Sequence, residues 1–191
     1  MRVEHEFILG GQKSGKSRRA EQRAADWLAE APGMRRAVLI ATAQAHDDEM
    51  QERIVRHQAD RARRVPALRT VEEPVELARA IVTQSSPETL VVVDCLTLWL
   101  TNLLMPLRCE TAQPVTRTPA AHAAMLLMAL REARGPVVLV GNEIGLGVIP
   151  LGRETRAFVD ALGRMNQDVA TACDRVTLMA AGLPLTLKEP A

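Results

Sequence analysis

A chain of 191 residues, 47% hydrophobic and with a net charge of +1, can bury one substantial core and is short for two full domains. The near-neutral charge supplies no field that would draw the chain to nucleic acid or an anionic membrane, and two Phe, two Trp and no Tyr leave little to stack bases on. Three scattered cysteines (Cys95, Cys109 and Cys173) form no CxxC pair, and there is no signal peptide or apolar run of spanning length, so a reduced cytoplasm is the expected setting.

The first predicted element is a short apolar strand, Phe7-Ile8-Leu9, which runs into GGQKSGKS at 10–17. This fits the phosphate-binding loop pattern GxxxxGK[ST], with Gly10, Gly15, Lys16 and Ser17 in the fixed places. Glycines let backbone approach a phosphate closely, and the N–H groups of the loop and the following helix point at the anion. Lys16 carries charge to the β and γ phosphates, and the Ser17 hydroxyl suits Mg²⁺. Arg18 to Leu28 reads as the helix behind the loop.

Four later runs read as buried strands: 37–42, 90–94, 137–140 and 175–180. Each is nearly continuously apolar and rich in β-branched residues, as strands covered on both faces are. Helical patterns between them predict an α/β fold with a mostly parallel central sheet flanked by helices, of the P-loop NTPase kind, in one domain over 1–191. A shorter strand is expected from Leu68 to Val71, and the AAGLPLTLK tail is expected at the sheet's edge.

Asp47 to Arg64 reads as a helix with acids at its start, where capping and the helix dipole favour them. Met50, Ile54, His57 and Arg61 share one of its faces. A histidine so placed is ordinarily packing or surface decoration. Asp94 ends its strand where a P-loop protein can hold Mg²⁺, or else caps the helix expected over Cys95 to Leu104. Pro106 to Pro119 reads as a surface loop, followed by a helix over 122–134. Then come GNEIGLGVIP at 141–150, with Glu143 just past a strand end, and a helix over 154–173.

The sequence resembles the bifunctional adenosylcobinamide kinase / adenosylcobinamide-phosphate guanylyltransferase family of cobalamin biosynthesis. The resemblance rests on LGGQKSGKSRRAE (9–21), LIATAQAHDDEMQERIVRHQADR (39–61), VVVDCLTLWLTNLL (91–104), GNEIGLGVIP (141–150) and the stretch from Arg153 through GRMNQDVA to AAGLPLTLK. It implies two reactions: phosphorylation of adenosylcobinamide by ATP or GTP, then transfer of GMP from GTP to the adenosylcobinamide phosphate through a histidine. The family's nucleophile maps onto His57, with His46 as the local runner-up. The resemblance also implies a nucleotide site of Gly10, Gly11, Gln12, Lys13, Ser14, Gly15, Lys16, Ser17, Ala41, Thr42, Ala43, Gln58, Ala59, Asp60, Arg61, Glu72 and Asp94. Mg²⁺ on Ser17 and Asp94, and a homotrimer, complete what it implies; no nucleic acid or membrane partner is expected.

Two other readings start from the same loop. A P-loop small-molecule kinase would need Lys16, Ser17 and Asp94 and be indifferent to His57. A P-loop switch ATPase would be stimulated by a protein or nucleic acid rather than by cobinamide.

Overall fold

The structure, a computed structural model, describes residues 3–45, 47–105 and 118–190. Chain order is β1 (Glu6–Gly10), α1 (Lys16–Glu30), β2 (Arg36–Ala41), α2 (Asp48–Arg64), β3 (Leu68–Glu72), α3 (Leu77–Gln84), β4 (Thr89–Asp94), α4 (Leu96–Leu104), α5 (Pro119–Glu132), β5 (Val137–Asn142), α6 (Arg153–Ala172), β6 (Arg175–Ala180) and β7 (Leu183–Lys188). The strands form one seven-stranded sheet in the order β3-β2-β4-β5-β1-β6-β7. All pairings are parallel except β6 with β7. The expected sheet is present, and the tail forms its antiparallel edge.

Strand alternation divides the core in two. Phe7, Val91, Val93 and Leu139 face one side, where they pack with Leu77 and Ile81 of α3 and with Trp99, Leu126 and Leu162 from α4, α5 and α6. Ile8, Leu90, Val92 and Val138 face the other, against Ala20 and Ala24 of α1. Helix α2 takes little part in either cluster, and Arg61 is its one buried residue. Its ends are held by polar means: the Asp47 carboxylate accepts from the Met50 amide at 2.7 Å, and Arg64 pairs with Glu21 of α1 at 2.7 Å.

One helix start and one whole helix differ from expectation. Helix α5 begins at Pro119, not 122, because Thr118 caps it through the Ala121 amide at 3.2 Å and proline suits the first helical position. Thr118 and Pro119 therefore start a helix rather than end a loop; residues 106–117 of the expected loop, with Cys109, lie outside the described residues. Helix α3, unassigned in the sequence, fills the crossover between β3 and β4.

Candidate active site

The carboxyl end of β1 opens directly into the glycine loop. Gly10 has φ 155°, and a Cβ there would lie 2.5 Å from both the Met179 carbonyl oxygen and Ser14 Oγ, so a side chain is excluded. Gly15 has φ 101° and caps α1, whose first turn holds no acid to compete with an anion. A turn from the sheet's edge braces the loop: Gly182, with φ 82°, donates from its amide to the Ser14 carbonyl at 3.0 Å. Lys16 is buried, and its Nζ donates to the Gly11 carbonyl at 2.6 Å. Burial lowers the pKa of its ammonium and nearby Arg53 adds to the effect, while Cys95 and Asp94 oppose it.

Asp94 ends β4, half-buried and within electrostatic reach of Lys16. It does not cap α4; Cys95 takes the N-cap position without a side-chain bond. The turn after Asp94 is fixed from β2. Thr42 is wholly buried, and its hydroxyl accepts from the Cys95 amide at 2.9 Å and donates to the Cys95 carbonyl at 2.7 Å. Asn102 of α4, also buried, donates to the carbonyls of Thr42 at 2.7 Å and Pro74 at 3.1 Å. Thr42 therefore shapes the site from beneath, with its side chain already occupied. Burial, helped by Asp94, pushes the Cys95 thiol up to about 12, which makes it a packing group and no nucleophile.

Helix α2 lies over the same loop. With the Gln12 amide oriented so that its oxygen faces Arg53, both terminal guanidinium nitrogens of Arg53 donate to that oxygen, at 2.7 and 2.9 Å. His57 is one helical turn further on and exposed; Arg61, a turn beyond, is buried. Arg61, Gln58 and Glu72 line a cavity of about 420 Å³ with Ala62, Pro66, Leu68 and Thr70. Gln58 Nε2 reaches Glu72 Oε1 at 3.4 Å across it. The structure thus places Gln58, Arg61 and Glu72 together between α2 and β3. Ala59 does not line this cavity, and Asp60 turns to Arg63. Ala41 and Ala43 flank Thr42 at the end of β2, both half-buried. His46 lies outside the described residues.

Sequence reasoning assigned no site role to Arg53 and Glu143, which touch the loop, or to Thr97 and Asn102, which brace the neighbouring strand ends. Thr97 Oγ1 accepts from the Asn142 amide at 2.8 Å, and the Glu143 amide donates to the Gly10 carbonyl at 3.1 Å. For all four the signal was available: each stands inside a motif that carries the family resemblance.

Comparison with known proteins places the chain among relatives. Residues 6–187 match the family described as cobinamide kinase / cobinamide phosphate guanyltransferase. The chain is 46% identical over 186 residues to the bifunctional adenosylcobalamin biosynthesis protein CobP of Pseudomonas aeruginosa, covering 97% of this chain and 98% of that one. It is 35% identical over 189 residues to the bifunctional adenosylcobalamin biosynthesis protein CobU of Salmonella typhimurium, covering 95% and 98%. Among solved structures, the flagellar accessory protein FlaH from Methanocaldococcus jannaschii superposes with a TM-score of 0.52 at 12% identity, over 98% of this chain and 79% of that one, a likeness of fold alone.

Proposed function

The chain belongs to the cobinamide kinase / cobinamide phosphate guanyltransferase family, and from that premise we propose that it performs both steps on adenosylcobinamide, in one domain spanning 1–191. In the first step the hydroxyl of the aminopropanol arm attacks the γ-phosphorus of ATP or GTP. The hydroxyl proton leaves and a nucleoside diphosphate departs. In the second, a ring nitrogen of His57 attacks the α-phosphorus of GTP, the α–β P–O bond breaks and pyrophosphate leaves. A phosphate oxygen of adenosylcobinamide phosphate then attacks the same phosphorus. The N–P bond breaks, giving adenosylcobinamide-GDP and free His57.

The observation that carries this reading is the contact of the helix bearing His57 with the phosphate-binding loop itself, through Arg53 and Gln12. On this reading one nucleotide bound at the loop faces both the kinase groups and the helix that carries His57. Lys16 leaves the Gly11 carbonyl to meet the β and γ phosphates. Ser17 and Asp94 are the groups that would hold Mg²⁺; this cation takes most of its oxygens from water and phosphate and needs only one or two from protein. When bound it neutralises charge on the phosphates. The cavity between α2 and β3, with Gln58, Arg61 and Glu72 as its polar groups, offers room for the rest of the nucleotide.

Among the described residues no helix is long and apolar enough to cross a membrane. Self-association, which the family resemblance implies as a trimer, is consistent with β7, whose Leu183, Leu185 and Leu187 are 71%, 56% and 56% exposed along one side of an edge strand.

Purified protein supplied with adenosylcobinamide, GTP and Mg²⁺ tests the whole reading by mass spectrometry of the corrinoid. Successive gain of a phosphate and then of GMP, with release of pyrophosphate only in the second step, is the expected result. Phosphorylation without GMP transfer would reduce the protein to a kinase.

A further inference from the structure

The Arg53 guanidinium makes its bonds to a neutral amide oxygen, Gln12 Oε1, at the mouth of a loop built for anions. A planar fork of donors matches a phosphate edge, and bonds to a charged acceptor are about twice as strong as those to a neutral one. Phosphate is therefore the better partner at the same place. A second observation concerns charge. Lys16 and Arg53 are close enough that Arg53 disfavours the charged form of Lys16, after burial itself. Two cations facing one loop are relieved by an anion set between them. A third is the mobility that α2's packing permits. Arg61 alone of its residues is buried, and the helix is tied to the body by its polar contacts with Gln12, Glu21 and Glu72. Arg53 and His57 are one turn apart on the same side of that helix.

We propose that Arg53 is a phosphate-binding residue of the guanylyl-transfer step: it exchanges Gln12 for the triphosphate of GTP and so draws the His57 turn of α2 onto the α-phosphorus. This rests on the GMP-transfer reading of His57 and adds to it the group that brings nucleophile and nucleotide together. No bond is made or broken at Arg53. Its charge offsets that of the phosphates, and its attachment to α2 supplies orientation.

The test compares wild type with Arg53→Ala, Arg53→Lys, Arg53→Met and Gln12→Ala. GTP affinity is measured calorimetrically, and the rate of covalent labelling from α-labelled GTP is measured at saturating nucleotide. Arg53→Ala and Arg53→Met are expected to weaken GTP binding roughly tenfold or more and to slow labelling further even at saturation. Arg53→Lys should recover affinity better than rate, since lysine keeps the charge and loses the fork. Gln12→Ala breaks the same contact, and should cost less than Arg53→Ala. Equal losses in Gln12→Ala and Arg53→Ala would overturn the proposal, because Arg53 would then only brace the loop. So would unchanged affinity and rate in Arg53→Ala, with labelling of wild type intact and the GMP-transfer reading secure. A wild type that binds GTP and never labels would remove that reading and the orienting role of Arg53 with it; the affinities alone would then show whether Arg53 meets phosphate.

Discussion

Lys16 turns back on the loop that carries it, its ammonium 2.6 Å from the carbonyl oxygen of Gly11. That bond occupies the charge while the side chain sits buried, and on the proposed reading it yields to the phosphate oxygens of the nucleotide. Lys16→Ala is expected to lower phosphoryl transfer by about a hundred- to a thousandfold, the range for removing one preorganised cation or donor from a developing charge. Steady-state assays of corrinoid phosphorylation check this. Full turnover in the variant would place the chemistry elsewhere.

Asn102 is predicted to matter through Asp94, which it never touches. Asn102→Ala leaves the carbonyls of Thr42 and Pro74 without their buried donor, at a cost of about 1–3 kcal/mol. Thr42→Val removes the hydroxyl that holds Cys95 at both ends of its backbone. Both variants should melt several degrees lower. Both should also need more Mg²⁺ for half-maximal rate, while GTP affinity measured without Mg²⁺ moves little. A lower melting temperature with an unchanged Mg²⁺ requirement would limit the bracket to stability.

Much of this arrangement was legible in the sequence. The strand-loop-helix of the phosphate site needs its glycines at fixed places, and continuous apolar runs announce a parallel sheet. The Thr42–Asn102 bracket was not legible, because its partners are 60 positions apart and a polar residue in an apolar helix has no periodicity to betray it. Helix α3 is short and its apolar residues serve equally well in a loop. The start of α5 was hidden because Thr118-Pro119 reads as loop until the cap is seen. Arg53 stands inside a motif of the family resemblance, but its partner Gln12 lies 41 positions earlier and only the fold brings the two together.

Acid should destabilise the fold through His5. This side chain is buried, its Nδ1 accepts from the Val137 amide at 3.2 Å, and burial lowers its pKa against the opposing pull of Leu130 and Asp174. The unfolded chain then binds the proton more readily, so stability falls as pH drops below about 6.5 towards the lowered value and is flat above it. His5→Leu should cost about 1–3 kcal/mol near neutrality by leaving the Val137 amide bare, and should flatten the slope just below pH 6.5. Denaturant melts across pH 5.5–8 read both effects. An unchanged slope in the variant would assign the titration to another group.

The apolar side of β7 predicts association. Leu185→Asp places a charge in the middle of the exposed leucine row and should shift the assembly towards monomer in light scattering, with the sheet retained by circular dichroism. An unaltered mass would direct attention to another surface.

The central claim is that His57 accepts GMP. Wild type, His57→Ala and His46→Ala are incubated with α-labelled GTP and Mg²⁺, denatured, and treated with acid and alkali. The account predicts an acid-labile, alkali-stable label in wild type and His46→Ala, absent from His57→Ala, with some corrinoid phosphorylation surviving in the last. Label that persists in His57→Ala, or that fails to form in wild type with GTP bound, would contradict it.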